Sequence, residues 1–129
     1  MRIFLFGEAE KGEYCTPIRM QNLSELSEKF GNPAENSIGI DYAIQTILDG
    51  KELVFFRVHE EGFCREDYLQ GAKLLESYGA KLRLSAICMP GTGDRQIIEA
   101  IAPVCQKLKA VLVLSEKDLY DYLTGVRSL

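Results

Sequence analysis

Glu52-Leu53-Val54-Phe55-Phe56-Arg57-Val58 is the stretch whose reading decides the fold. It is apolar almost throughout, so it reads as a central strand covered on both faces. Covering both faces of a sheet takes helices on either side, and the flanking sequence supplies them. Upstream, residues 36–48 read as a helix: Ile40, Ala43, Ile44, Ile47 and Leu48 fall at i, i+3, i+4, i+7 and i+8, and Gly50 ends it. Downstream, a short loop over 59–63 leads to a helix over about 65–77. Tyr68, Leu69, Ala72 and Leu75 form its buried stripe and Gly79 closes it.

Residues 82–89 are the next strand. Pro90-Gly91-Thr92-Gly93-Asp94 makes a sharp strand-to-helix turn with Thr92 or Asp94 as N-cap. The helix over 95–108 turns Ile97, Ile98, Ile101, Val104, Cys105 and Leu108 inward. Pro103 lies inside that span and lacks a backbone donor, which predicts a kink or break near Glu99. Residues 110–114 form another fully apolar strand, and Ser115 caps a short last helix over 116–123.

The amino-terminal part differs. Ile3-Phe4-Leu5-Phe6 reads as a short strand buried on both faces, followed by a Gly7-Glu8-Ala9-Glu10-Lys11-Gly12-Glu13 loop. Residues 16–20 are extended, because Pro17 biases Thr16 away from helix. Asn22 or Ser24 then caps a helix with Leu23, Leu26 and Phe30 on one face, stopped by Gly31. The chain therefore reads as one domain over 1–129. Its expected class is α/β, a three-layer sandwich with a largely parallel central sheet, with the strands ending at Val58, Met89 and Leu114 adjacent.

Composition narrows the function classes. A net charge of −4 with scattered Arg and Lys argues against a nucleic-acid partner. No apolar run reaches the roughly 18 residues that span a membrane, and the first apolar run is too short for a signal peptide. The four cysteines, Cys15, Cys64, Cys88 and Cys105, show no CxxC or zinc-ligand spacing. They read as reduced, buried thiols of a cytoplasmic protein.

Four places in the sequence could carry chemistry. The loop Gly91, Thr92, Gly93, Asp94 sits at a strand's carboxyl end and a helix amino terminus, a position that favours anions. It lacks the third glycine of a dinucleotide motif and the lysine of a P-loop, and Asp94 repels phosphate, so a plain capped turn is the expectation. Glu8, Glu10 and Glu13 could in principle hold a divalent cation, but a solvated hairpin loop needs no ligand. His59, the single histidine, would pair with Cys64 as a nucleophile and base, but no orienting third residue is identifiable. It reads as an exposed loop histidine. Arg57, a charge within an apolar strand, is expected to be bridged to a carboxylate or to loop carbonyls. No catalytic residue, metal site or cofactor is expected, and the protein is not expected to be an enzyme.

The order of these motifs resembles the conserved core of contractile-tail sheath proteins of phages and related injection systems. The resemblance is carried by the strand into Gly7, the loop to Gly12, Thr16-Pro17-Ile18 and the helix ending Phe30-Gly31. It continues through Phe55-Phe56-Arg57-Val58, Met89-Pro90-Gly91, Asp94, Cys105 and Val111-Leu112-Val113-Leu114, so it spans 7–114. It implies structural roles for Gly7, Gly12, Pro17, Gly31, Arg57, Pro90, Gly91 and Asp94. It also implies a structural, tail-sheath-like protein of a phage, prophage or phage-derived contractile apparatus, with like or related sheath and tail proteins as partners. Family members carry a large insertion after their Val-Arg-Val strand, where this chain has only 59–64. They also assemble through terminal arms, which this sequence is expected to lack; a monomer or weak homo-oligomer is expected in isolation. The alternative from another class is a small α/β ligand-binding or regulatory domain using the 90–94 loop.

Overall fold

The computed structural model describes residues 1–35 and 37–125. Among the described residues ten elements follow in order: β1 (Arg2–Gly7), β2 (Pro17–Met20), α1 (Leu23–Phe30), α2 (Gly39–Leu48), β3 (Glu52–Arg57), α3 (Arg65–Leu82), β4 (Leu84–Cys88), α4 (Arg95–Leu108), β5 (Val111–Val113) and α5 (Glu116–Thr124). The strands form one five-stranded sheet in the order β2-β3-β1-β4-β5. All neighbours are parallel except β2, which runs antiparallel to β3. The fold is the expected α/β sandwich with a largely parallel sheet.

Alternation along each strand divides the core. Ile3, Leu5, Leu53, Phe55, Ala86 and Val113 face α1, α2 and α5. Phe4, Phe6, Val54, Phe56 and Ile87 face α3 and α4. Phe4, Phe6 and Phe56 pack ring against ring, and Phe6 stacks on Tyr68 of α3 at 4.9 Å between centroids. This close approach needs a glycine: a Cβ on Gly71 of α3 would fall 2.3 Å from Phe6 Cε2.

Several expectations are corrected. The strands ending at Val58 and Met89 are not adjacent, because β1 lies between β3 and β4. A strand buried on both faces can take any inner position, and its apolar run does not say which. The segment after β1 is no hairpin loop: β2 pairs with β3 instead of β1, so the connection passes over the end of β3. Gly79 does not close α3, which runs on to Leu82 and ends at Arg83 in the left-handed region. Gly79 instead lets Leu108 of α4 pack close, 2.5 Å from where its Cβ would stand. α4 runs through Pro103 unbroken. Leu23 and Leu69, placed in buried stripes, are 41% and 40% exposed, and Leu48 is 66% exposed. Cys88 and Cys105 are buried, but Cys15 and Cys64 are only half-buried.

Candidate functional site

The carboxyl ends of β1, β3 and β4 gather three loops, 8–16, 58–64 and 89–94, and the residues singled out by sequence converge there. Arg57 closes β3. Its Nη1 donates to the Gly12 carbonyl at 2.5 Å and its Nη2 to that of Ala9 at 3.0 Å. Loop carbonyls, one of the two anticipated kinds of partner, therefore hold it. The Arg57 carbonyl accepts from Cys15 N at 2.8 Å, and its guanidinium lies 4.0 Å over the Tyr14 ring. The 8–16 loop is thus pinned across the end of β3, with residues 10–14 exposed: Ala9 is buried, and Glu10 N and Lys11 N donate to the Phe30 carbonyl.

Tyr14 stacks in turn on His59, 3.6 Å between centroids. His59 is exposed, as expected, but it does have an orienting carboxylate. Asp67 Oδ2 takes both the backbone N–H and Nδ1 of His59 at 2.7 Å each. The same oxygen accepts from the Cys64 thiol at 3.3 Å. Burial alone would raise the Asp67 carboxyl, yet the His59 and thiol hydrogen bonds outweigh it and hold it below the usual carboxylate range. His59 and Cys64 do not form a nucleophile–base pair, because Asp67 sits between them as their shared partner.

Burial, reinforced by Asp67, pushes the Cys15 thiol up to about 12. Burial also pushes Cys64 to about 11, against a helpful N–H from Glu60 at 3.2 Å. Both are protonated at neutral pH.

A second carboxylate ties the loops together. Glu61 accepts from Glu8 N, Ile38 N and Gly39 N at 2.9–3.0 Å, and so satisfies free N–H groups at the start of α2. Its own N–H donates to Glu8 Oε2 at 2.8 Å. Burial raises the Glu61 carboxyl above its ordinary value despite these bonds.

The 90–94 loop is used internally. Asp94 Oδ1 accepts from Gln96 N at 2.8 Å and Ile97 N at 3.4 Å, capping α4, while Oδ2 pairs with Arg65 at 2.6 Å. Asp94, not Thr92, is the cap, and it occupies the N–H groups that an anion would use. Gly91 sits at φ 76° over the backbone of Gly62, and Pro90 is buried. Thr92 is buried next to the Tyr68 hydroxyl without a well-formed hydrogen bond. Gly93 has no neighbour near its Cβ position.

The carboxylates of the 8–16 loop diverge. Glu8 binds Glu61 N, Glu10 accepts from Asn32 N, and Glu13 faces Thr16. Among the described residues no group of three or more His, Cys, Asp or Glu side chains is arranged to hold a metal ion. No helix among them is long and apolar enough to cross a membrane.

Among the described residues a surface hollow of about 590 Å³ lies beside His59, Cys64, Asp67 and Asp94. A larger one of about 740 Å³ lies between α2 and α5, lined by Tyr42, Leu48 and Tyr120, far in sequence from the rim residues. Sequence reasoning missed Asp67 and Tyr14. Asp67 lies in the first turn of α3, where an acid is ordinary, and its eight-residue separation from His59 matches no periodic signal. Comparison with protein-family models, curated proteins and solved structures found no match for this chain.

Proposed function

We propose that this chain is a structural, sheath-like subunit of a phage or phage-derived contractile apparatus, acting through contacts with like or related tail proteins. The reading rests on the sequence resemblance. One structural observation supports it above others: the residues that carry the resemblance serve to hold loops and turns. Arg57 pins the 8–16 loop by the Gly12 and Ala9 carbonyls. Gly7 lets β1 approach α2, since its Cβ would stand 3.0 Å from Gly39 Cα. Gly12 and Gly31 turn at φ 106° and 77°. Pro17 opens the edge strand β2, where a missing donor costs nothing, and Asp94 caps α4. Contacts with partners would fall on the sheet edges, β2 and β5, and on the exposed apolar side chains Leu48 and Tyr120.

The test is reconstitution with purified sheath and tube subunits of a contractile tail from the same genome. The expected result is incorporation into sheath-like assemblies seen by electron microscopy. No binding, at concentrations where those subunits bind one another, would overturn the reading. The second reading is a small α/β ligand-binding or regulatory domain using the 90–94 loop. The buried, poorly partnered Thr92 hydroxyl favours it, and saturable thermal stabilisation by a nucleotide, lost in Gly93→Val, would establish it.

A further inference from the structure

We propose that the groove between α2 and α5 is a docking site for a basic amphipathic helix, about three turns long, presented by a partner protein. The inference stands on the groove alone and holds whether or not the chain is sheath-like.

Shape and charge carry it. The groove has a volume of about 740 Å³, and its apolar lining comes from Ile44 and Leu48 of α2 and from Leu119, Tyr120 and Leu123 of α5. Leu48 and Tyr120 are 66% and 64% exposed, so large apolar side chains stand open to water here. α2 has 10 residues, which gives the groove a length of about 15 Å. The charged side chains that line it are Asp41, Asp49 and Glu116, and among the described residues no Lys, Arg or His joins them. Asp49 is paired with Lys51 at 2.7 Å, whereas Asp41 and Glu116 have no ion-pair partner among the described residues. Asp41 lies in the first turn of α2 and Glu116 in that of α5. Lys51, just past α2, lies 5.9 Å over the ring of Tyr122 near the end of α5. The two helices therefore run the same way, and the two carboxylates share one end of the groove. Burial pushes the Tyr42 hydroxyl, also in the lining, up to about 12, and the Glu116 and Asp118 carboxylates add to the rise, as a negative field does.

The occupant's chemistry follows from these walls. Both are helices, whose backbone groups bond within themselves, so an extended segment would lay unpaired N–H and C=O groups on an apolar surface. A helix arrives with its own backbone satisfied and sets apolar side chains at i, i+3, i+4 and i+7 along the groove. Lys or Arg on its flanks meets Asp41 and Glu116. A second copy of this chain fits badly: groove against groove brings these carboxylates up to their like, and the net charge is −4. An anionic membrane surface is repelled by the same two groups.

The experiment titrates the full chain with a synthetic end-capped peptide of about 14 residues, with Leu at helical spacing and Lys on both flanks. One comparison peptide replaces every Lys by Glu, and another shuffles the same residues so that no apolar stripe remains. Calorimetry measures binding and backbone amide shifts locate it. Saturable one-to-one binding of the Lys peptide is expected, with shifts centred on α2 and α5, and the two comparison peptides should bind about tenfold or more weakly. Leu48→Ser should weaken the Lys peptide about tenfold, and so should Asp41→Asn combined with Glu116→Gln. All three side chains are exposed, and circular dichroism confirms that the variants fold. No saturation by about 1 mM peptide, equal binding of the Glu peptide, or shifts centred elsewhere would each overturn the proposal. Self-association of the chain that Leu48→Ser abolishes would give the groove to a second copy, and binding to phosphatidylserine vesicles lost in that variant would give it to a membrane surface; either also overturns it. No sheath or tube subunit enters this experiment, so its failure and that of the reconstitution are separate results.

Discussion

The Arg57 guanidinium lies 4.0 Å over the Tyr14 ring while its two Nη atoms hold the carbonyls of Gly12 and Ala9. One side chain thus fastens a whole connection across the end of a strand. Arg57→Ala should cost about 2–3 kcal/mol, the worth of charge-assisted hydrogen bonds and one cation–π contact. Chemical denaturation should show a lower midpoint at unchanged slope. A midpoint within noise would mean that the loop holds without it.

Glu61 should make stability depend on pH in an unusual sense. Its folded carboxyl is raised above the ordinary 4.5. Folding therefore favours its protonated form, and its contribution is full below that value and declines as pH rises through the folded value. Because Gln mimics the protonated carboxyl, denaturation midpoints of the unaltered chain and of Glu61→Gln should lie close together near pH 4 and diverge toward pH 8, the unaltered chain falling below the variant. A constant offset would contradict it.

Glu52 should act in the opposite sense. Hydrogen bonds from Gln21, then from Arg2 and Arg19, hold its carboxyl at about 2, against 4.5. Its stabilisation is present above 4.5 and lost as pH falls through 2. Glu52→Gln should therefore be less stable than the unaltered chain at neutral pH, with the gap closing in acid. Acid titration followed by circular dichroism checks this.

Gly71→Ala should destabilise, although alanine is the better helix former by about 1 kcal/mol. The added methyl would fall 2.3 Å from the ring of Phe6, which is fully buried and cannot retreat. Overpacking of this kind costs about 1–3 kcal/mol. A thermal melt that rises instead would show that α3 can shift outward.

Much of this architecture could be read along the chain, and the exceptions share a cause. Periodicity and caps are local, so Asn22, Asp94 and Ser115 were within reach as helix caps, and all three bond the N–H groups of the helices they open. Strand order is not local. Ile3, Phe4, Leu5 and Phe6 show that both faces of β1 are covered but not which strands flank it. Gly79 reads as a stop because glycine ends many helices; only Leu108, packed against it from α4, reveals its use. At the rim, Arg57 stood out as a charge in an apolar run. Asp67 carried no such signal, since nothing in the spacing of His59, Cys64 and Asp67 marks the bonds that folding makes between them.

The central place of β1 bears on how the chain acquires its shape during synthesis. Ile3 to Phe6 are completely shielded, yet β1's parallel neighbours are β3 and β4, which begin at Glu52 and Leu84. The ribosome delivers the keel of the sheet well before either flank. Until Cys88 is made, this apolar segment has at most one of its two neighbours, and its second edge stays open to other chains. Such long-range closure makes for slow folding. The interval between making β1 and β4 is therefore when nascent copies are most exposed to one another and most in need of a chaperone.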